Sequence, residues 1–227
     1  IGADGGQYKL RVDIDIDTAS PAQISIRDNA AGIAPADFPR AFRPAAIPPD
    51  RSGLSEFGMG MKSAACWFAP KWTVRTSALG DPFVRTVHFE IENIVNDDIQ
   101  ELDIREEPAP PEHHFTEIVL EDIFHVPIGR TLGKIKEHLT DIYRVFERDG
   151  FLEIRFNGDT LRYEEPRVLS APYFKDKLGQ RKKWRKAIEF DLGNGQSVAG
   201  FAALRETASL AKAGFALFRR GRLIQGS

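Results

Sequence analysis

The sequence predicts an α+β fold, in which a first domain of mixed strands and helices is followed by a smaller, strand-rich α/β domain. Apolar and polar residues alternate in "YKLRVDIDID" at 8–17 and in "AQISIRDN" at 22–29, as in strands that are buried on one face. Apolar residues between 131 and 148 are instead spaced by three and four, which predicts an amphipathic helix. Beyond this helix, strand patterns surround Asn-Gly turns.

The composition of the 227 residues is that of a globular protein, with 42% apolar and 28% charged residues. A net charge of −2 excludes a global attraction to nucleic acid or membrane, so such a contact would need a local patch. The single cysteine, Cys66, excludes an internal disulfide and favours a reducing, cytoplasmic location. No apolar run approaches the roughly 20 residues that span a bilayer, and we expect no membrane contact.

The first half of the chain reads as strands separated by short helices. After the two opening strands, "PADFPRAF" at 35–42 predicts a short helix interrupted by Pro39, and a proline-rich loop follows at 43–56. Residues 58–69 predict a buried helix that Pro70 ends. Cys66 lies on this helix, and we expect it to pack in the protein core.

The next segments predict a hairpin, a loop and a strand. Residues 71–78 and 83–93 form the hairpin across "LGDP", 94–114 form an acidic loop with several prolines, and "FTEIVLED" at 115–122 forms the strand.

We expect a domain boundary near residue 128, which separates a domain at 1–128 from a second domain at 129–227. The second domain contains the helix at 131–148 and strand pairs at 151–165, 187–204 and 213–224. The chain opens on Ile1 and closes on "GRLIQGS", and we expect it to be a fragment whose last strand is cut short.

The stretch "SEFGMGMKSA" at 55–64 carries two glycines before a lysine and a serine. It is not a P-loop, because Met61 precedes the lysine, and it is not a dinucleotide fingerprint, because Ser63 stands in the third glycine position. Glycines that open a helix still suit an anion, since backbone amides and a cation then face it. The alternative is a glycine-bearing turn that caps a core helix.

Three motifs in order resemble the GHKL ATPases, which include gyrase, heat-shock chaperones, histidine kinases, MutL and the MORC proteins. These motifs are "IRDNAAGI", then "SEFGMGMKSA", then "FTEIVL". Their order and spacing are most similar to the MORC and heat-shock branches, whose glycine box commonly ends in Lys-Ser-Ala. The resemblance implies a Bergerat fold, which is a two-layer α/β sandwich, over about residues 8–125.

The resemblance implies that ATP and Mg²⁺ are the cofactors and assigns roles to residues of the motifs. Asp28 would accept a hydrogen bond from the adenine amino group, Gly32 would lie beneath the base, and Thr116 would hold a water or the base beside Asp28. Gly58, Met59 and Gly60 would present amides to the phosphates, with Lys62 and Ser63 nearby. The set of expected nucleotide-binding residues also includes Asn29, Ile33 and Phe57. Taken singly, Asp28 and Thr116 also fit a turn aspartate and an ordinary strand threonine.

In the resembling branches, a basic residue of the second domain reaches the γ-phosphate. Arg219, Arg220 and Arg222 are candidates here, and alternation predicts that Arg220 and Arg222 share one face of a strand. We therefore take Lys62, Arg220 and Arg222 as the catalytic candidates, Lys212 as a further one, and a solvated turn as the alternative for the arginines.

The chain departs from the family pattern in three places. Ala30 replaces the first glycine of Asp-x-Gly-x-Gly, Ser55 stands where the glycine box usually begins, and the family's first helix, which carries Glu-x-x-x-Asn ahead of these motifs, is absent. That helix carries the general base and the magnesium-binding asparagine, and we expect it upstream of Ile1. Glu153 to Asn157 has this spacing, but it falls on a predicted strand and follows the three motifs.

The resulting hypothesis is a MORC-like ATPase domain that dimerises when ATP orders a lid at about residues 40–57. Its partners would be ATP or ADP, a second copy of the protein and either DNA or protein clients. DNA would contact the basic stretch "KDKLGQRKKWRK" through Lys182, Lys183, Trp184 and Arg185, for which a solvated loop is the alternative. The rival functions are a histidine kinase, a chaperone-like ATPase and a non-catalytic nucleotide sensor.

Overall fold

The structure, a computed structural model, describes residues 8–43, 54, 59–97, 99, 101–210 and 212–226. Contacts divide the chain into two compact units, Ile1–Arg162 with Arg220–Arg222 and Tyr163–Arg219 with Leu223–Ser227. The division falls later than the expected boundary near residue 128, because the helix and the strand that follow this position pack within the first unit.

The first unit is built on an eight-stranded sheet in the order β5-β4-β3-β6-β2-β1-β7-β8. Neighbouring strands are antiparallel, except that β1 and β7 run parallel. The strands are β1 (Leu10–Asp17), β2 (Gln23–Asp28), β3 (Lys71–Ser77), β4 (Phe83–Glu90), β5 (Ile104–Pro108), β6 (Phe115–Glu121), β7 (Leu152–Phe156) and β8 (Asp159–Thr160).

The register gives the sheet one apolar face and one charged face. Ile14, Ile26, Ile118 and Val74 are successive partners across β1, β2, β6 and β3, so their side chains share a face. On the opposite face, the neighbouring row of Asp13, Arg27, Glu117 and Arg75 alternates in charge from strand to strand. Glu117 pairs there with Arg27 at 3.5 Å and with Arg75 at 3.0 Å. This arrangement confirms the half-buried strands that the period-two pattern predicts.

Helices cover the apolar face in two groups. At one end, α1 (Phe38–Phe42), α2 (Gly60–Phe68) and α3 (Ile91–Asn96) enclose a core that contains Phe38, Ala65 and Trp72. At the other end, α4 (Arg130–Arg148) packs on β7, where the Lys136 Nζ lies 5.2 Å from the centre of the Phe156 ring. A sheet with helices on one face is the predicted two-layer α/β architecture.

A strip of the apolar face between these helix groups is only half covered. Val74 and Phe156, which lie toward the two sides, are both 0% exposed. Val12, Ile14 and Ile26 lie between them and are only half-buried. The strip is therefore an apolar surface that the described helices leave partly exposed.

Two predictions for residues 83–114 are wrong. The strand of the hairpin ends at Glu90, and residues 91–93 begin helix α3. The segment expected as a loop at 94–114 contains strand β5, which pairs with β4. Pairing with β4 at the sheet edge decides the second case, because β5 is exposed along its whole length and lacks an apolar period.

Helix α2 is less buried than its apolar sequence predicts. Ala65 is its only buried residue, Cys66 is exposed, and Trp67 is 81% exposed. The prediction that Cys66 packs in the core is wrong, since a helix on the outside of a two-layer sandwich buries only the side that faces the sheet.

The second unit consists of short antiparallel pairs: β9 (Ser170–Ala171) with β10 (Lys182–Lys183), and β11 (Arg185–Gly193) with β12 (Gln196–Ala203). The last pair is β13 (Leu217–Arg219) with β14 (Arg222–Gln225), whose Arg222 belongs to the first unit. Asn194 and Gly195 have positive φ values of 52° and 73° in the β11–β12 turn, as the Asn-Gly signal predicts. Of the helices that the structure describes, none is long and apolar enough to cross a membrane.

Candidate functional site

Three polar side chains form a row at one end of the otherwise apolar sheet face. Asp28 on β2 is the register partner of Thr116 on β6, and Thr116 is the partner of Thr76 on β3. All three belong to the same alternation as Ile26, Ile118 and Val74, so they project from the apolar face. The sheet thus brings together Asp28 and Thr116, which are far apart in sequence, and adds Thr76.

Asp28 ends β2 with a half-buried carboxylate. Its Oδ1 accepts a hydrogen bond of 2.9 Å from the Ala30 amide. Burial raises the pKa of Asp28, and the backbone amides of Ala30 and Thr116 together with Arg27 lower it in part. Among the ion pairs between described residues, none includes Asp28, so this carboxylate retains acceptor capacity for a ligand.

Thr76 is 2% exposed and connects the elements around the row. Its hydroxyl donates to the Phe115 carbonyl at 2.9 Å and accepts from the Ile33 amide at 2.9 Å. The Thr76 and Thr116 hydroxyl oxygens are 3.3 Å apart. The hydroxyl therefore joins β3, β6 and the loop that follows Asp28.

The loop after Asp28 lies against the end of β3 and requires glycine at position 32. Gly32 has a φ of 72°, and a Cβ there would lie 2.6 Å from the Ser77 carbonyl carbon. The Leu79 amide donates to the Ala31 carbonyl oxygen at 2.9 Å, and the His114 Nδ1 lies 2.8 Å from the Ala30 carbonyl oxygen. Ala30 is not among the described residues with positive φ, so the replacement of glycine there carries no backbone strain.

Asn29 and Ile33 are held by structural contacts in this loop. The Asn29 side chain accepts from the Arg11 amide at 2.7 Å and donates to the Lys9 carbonyl at 3.3 Å, which fastens the loop to β1. Ile33 packs against the core that α1 and α2 enclose.

The expected phosphate-binding segment surrounds the start of α2. The helix begins at Gly60, after Met59, and the Ser63 amide donates to the Met59 carbonyl at 3.0 Å. Phe57 and Gly58 lie outside the described residues, as does most of the expected lid at 40–57.

The Lys62 ammonium contacts the end of α1. Its Nζ donates to the Ala41 and Arg43 carbonyl oxygens, both at 2.8 Å. Burial, with a smaller effect of nearby Arg40, lowers the pKa of Lys62. In this structure Lys62 therefore satisfies carbonyl groups at a helix C-terminus.

Arg220 lies in a tight turn and Arg222 follows it, so the two do not share a strand face, contrary to the prediction from alternation. Arg220 and Gly221 have φ values of 51° and 76°, which are those of a two-residue hairpin turn. A Cβ on Gly221 would lie 2.8 Å from the Cζ of Phe146 on α4, so this turn rests on the helix. The contacts place Arg220–Arg222 in the first unit, to which Asp28 also belongs.

Trp184, in the basic stretch of the second unit, packs against other residues of the same unit. The Trp184 Nε1 donates to the Ala171 carbonyl at 3.1 Å, the Tyr173 ring is stacked at 6.3 Å, and the Lys182 Nζ lies 4.6 Å from the ring centre. Lys182, Lys183 and Arg185 are exposed. The arginine and lysines present charge to solvent, whereas the indole is already packed.

The Glu-x-x-x-Asn spacing at 153–157 has a structural role. Glu153 on β7 pairs with Lys9 at 3.1 Å and with Arg155 at 2.9 Å. The Asn157 Oδ1 accepts from the Ile16 amide at 2.8 Å in the turn after β7. Neither group belongs to a helix, and the sequence-based rejection of this pair as a catalytic motif agrees with the structure.

Sequence reasoning missed Thr76 and His114 in the surroundings of Asp28. Thr76 lies in a strand whose pattern was recognised, but only the register shows that it faces Thr116. His114 lies in a segment that reads as a polar loop.

Comparisons with known proteins support the fold and the family. The family model described as "Histidine kinase-, DNA gyrase B-, and HSP90-like ATPase" matches residues 5–120. No curated protein matches the chain.

Two similar solved structures are parts of topoisomerases. One contains the ATPase and transducer domains of DNA topoisomerase II from Balamuthia mandrillaris, with a TM-score of 0.50, 17% identity and coverage of 66% of this chain and 42% of that one. The other is the ATPase region of Saccharomyces cerevisiae topoisomerase II, with a TM-score of 0.50, 13% identity and coverage of 68% and 44%. The chain thus spans less than half the length of either structure, and these identities show the fold alone.

Proposed function

Because the chain belongs to the family of histidine kinase-, DNA gyrase B- and HSP90-like ATPases, we propose that its first unit binds ATP on the apolar face of the sheet. The row of Asp28, Thr116 and Thr76 carries this proposal. An ionised aspartate only accepts hydrogen bonds, so it suits the adenine amino group. The half-buried strip beside it offers an apolar surface for the base.

The phosphates would lie at the start of α2. Met59 and Gly60 open this helix, and the backbone amides of its first turn together with the helix dipole favour an anion. Lys62 would add a cation, and Ser63 a hydroxyl. To reach a phosphate, Lys62 has to release the Ala41 and Arg43 carbonyls that it contacts here.

Mg²⁺ would accompany the nucleotide and neutralise phosphate charge. Within the described part of the chain, no group of three or more His, Cys, Asp or Glu side chains could hold a metal ion. We therefore assign no protein ligand to Mg²⁺, and phosphate oxygens and water would supply most of its coordination.

Calorimetric titration with ATP and Mg²⁺ tests the site. We expect Asp28→Asn to weaken ATP binding by about tenfold or more, because an amide loses the charge that strengthens the hydrogen bond. Asp15→Asn is the matched control, since it removes the same charge from an exposed position on the opposite face of the sheet. Wild-type affinity in Asp28→Asn would show that ATP does not bind here.

Hydrolysis in a complete protein would need a general base from outside the residues assigned above. Arg220 and Arg222 would sense the γ-phosphate, where a cation stabilises the transferring group. If Arg220→Ala and Arg222→Ala both keep the ATPase rate of the complete protein, the arginines have no such role.

ATP-gated dimerisation and a MORC-like cycle extend the proposal. Light scattering measures the molecular mass of the protein with a non-hydrolysable ATP analogue and so tests the dimerisation. A monomeric mass at saturating analogue would contradict it. A non-catalytic nucleotide sensor is the second candidate, because the Glu-x-x-x-Asn pair at 153–157 is structural. Binding without turnover in the complete protein would favour this sensor.

DNA binding by the second unit would depend on charge, since Trp184 is already packed. Lys182, Lys183 and Arg185 would contact phosphates, so the affinity for a DNA duplex should fall as salt rises. Unchanged affinity after all three are replaced by alanine would exclude this surface.

A further inference from the structure

Three aromatic rings, those of Tyr173, Phe174 and Trp184, form a cluster beside the β9–β10 pair of the second unit. The Tyr173 and Phe174 ring centres are 4.7 Å apart with their planes at 61°, and the Tyr173 and Trp184 ring centres are 6.3 Å apart. Trp184 is half-buried, whereas Tyr173 is 42% and Phe174 68% exposed. Because rings at 61° do not cover each other face to face, the cluster presents aromatic surface to solvent.

Lysine ammonium groups lie beside the same rings. The Lys182 Nζ is 4.6 Å from the Trp184 ring centre and 5.7 Å from that of Tyr173, and the Lys175 Nζ is 5.6 Å from that of Phe174. Among the ion pairs between described residues, none includes Lys175 or Lys182. The two charges are therefore available to the phosphates of a ligand.

Tertiary contacts bring two arginines from other segments close to this cluster. The Trp184 amide donates to the Leu169 carbonyl at 2.9 Å, and the Trp184 carbonyl accepts from the Leu204 amide at 2.9 Å. Arg167 lies two residues before the first of these partners, and Arg205 directly follows the second. The arginines line a cavity of about 360 Å³, whose other lining residues are Pro166, Glu206 and Thr207. The basic stretch thus continues into a second group of cations.

The exposed rings indicate which form of nucleic acid fits this surface. Phosphates occur in a duplex and in a single strand, so cations alone do not distinguish the two. The base faces of a duplex are covered by neighbouring base pairs, whereas an unpaired base can stack on an aromatic side chain. A surface that combines cations with exposed ring faces therefore favours a single strand.

We propose that the second unit binds single-stranded DNA, with bases stacked on Tyr173 and Phe174 and phosphates held by Lys175 and Lys182. Arg167 and Arg205 extend the path of the phosphate backbone beyond the rings. The inference rests on the DNA contact proposed above and names the form of the DNA. It also replaces Trp184, which is packed, with two exposed neighbours as the residues that contact bases.

Fluorescence anisotropy on the 227-residue chain tests this, with a labelled DNA strand and the duplex formed from it. The wild-type chain should bind the single strand more tightly than the duplex. Phe174→Leu keeps an apolar side chain but removes the ring, and should weaken single-strand binding by about tenfold, the usual effect of one stacked base. Duplex binding should stay at the wild-type level. Phe174→Tyr retains a ring and should keep the single-strand affinity.

Phe190→Leu is the matched control. Phe190 is 60% exposed on β11 of the same unit, but Glu189 and Asp191 flank it along the strand. This variant should keep the wild-type affinity for the single strand. Lys182→Ala tests the charge separately, since loss of one phosphate contact should lower the slope of log affinity against log salt by about 0.7.

Wild-type single-strand affinity in Phe174→Leu, or equal losses in Phe174→Leu and Phe190→Leu, would overturn the stacking role and leave the charge contact intact. If the wild-type chain binds neither the strand nor the duplex, the DNA contact proposed above is itself wrong. Tighter binding of an RNA strand of the same sequence would overturn the assignment to DNA. Should Phe174→Leu not fold, Tyr173→Leu replaces it, and an unchanged single-strand affinity would again overturn the inference.

Discussion

The half-buried Asp28 carboxylate, to which we assign a role in binding, also affects the free energy of unfolding. Burial raises its pKa, which means that the folded chain holds the proton more tightly than the unfolded chain does. The stabilisation from this proton is present below the pKa of the unfolded state and is lost as pH rises through the folded pKa. At neutral pH the ionised carboxylate therefore lowers the free energy of unfolding, which is a common property of binding sites.

We expect Asp28→Asn to be more stable than wild type at pH 7 without nucleotide, and the difference to shrink as pH falls toward the ordinary aspartate range. The amide keeps the oxygen that accepts from the Ala30 backbone and does not ionise. Urea denaturation at a series of pH values measures this. A difference that is constant with pH would show that the ionisation of Asp28 does not affect folding.

Gly32 is the residue at which the loop after Asp28 tolerates least change. We expect Gly32→Ala to lower the free energy of unfolding by about 3 kcal/mol, since it combines a left-handed backbone with overlap against Ser77. Gly80→Ala is the control, because Gly80 has a φ of 85° and open space around its Cα. Equal losses in urea denaturation would mean that contact with Ser77 contributes nothing.

At the scale of elements, Lys62 joins α2 to the end of α1. We expect Lys62→Met to lower the free energy of unfolding by about 1 kcal/mol, because the Ala41 and Arg43 carbonyls lose a charged donor. Lys71→Met is the control, as its ion pairs are exposed and 3.9 and 4.0 Å long. If both variants unfold at the wild-type urea concentration, the contact between α2 and α1 is energetically neutral.

The elements also show which sequence signals are reliable. Helix α4 begins at Arg130 and ends at Arg148, almost as its apolar spacing predicts, because a long amphipathic period has few alternatives. Strand β5 and helix α3 were not predicted, since short segments at a sheet edge take their conformation from tertiary contacts. The prediction that Cys66 is buried was wrong because the sequence of an apolar helix does not show which of its sides packs against the sheet.

For the whole molecule, we predict that the 227-residue chain binds ATP and releases phosphate at a negligible rate. The residues that would bind nucleotide are present, whereas the Glu-x-x-x-Asn pair at 153–157 lies on β7 and in the following turn. Calorimetry and a phosphate-release assay on one preparation test both parts. Turnover equal to that of the complete protein would contradict the prediction.

The sequence by itself determined the mixed fold, the order of the three motifs and hence the family, because alternation, helical period and motif spacing are properties of the chain alone. It also identified Asp28, Gly32 and Thr116 as a set. Only the tertiary structure decided that Asp28, Thr116 and Thr76 form one row, that Lys62 contacts α1, and that Trp184 is packed. These facts depend on register and on contacts between distant segments, and no local pattern of residues specifies them.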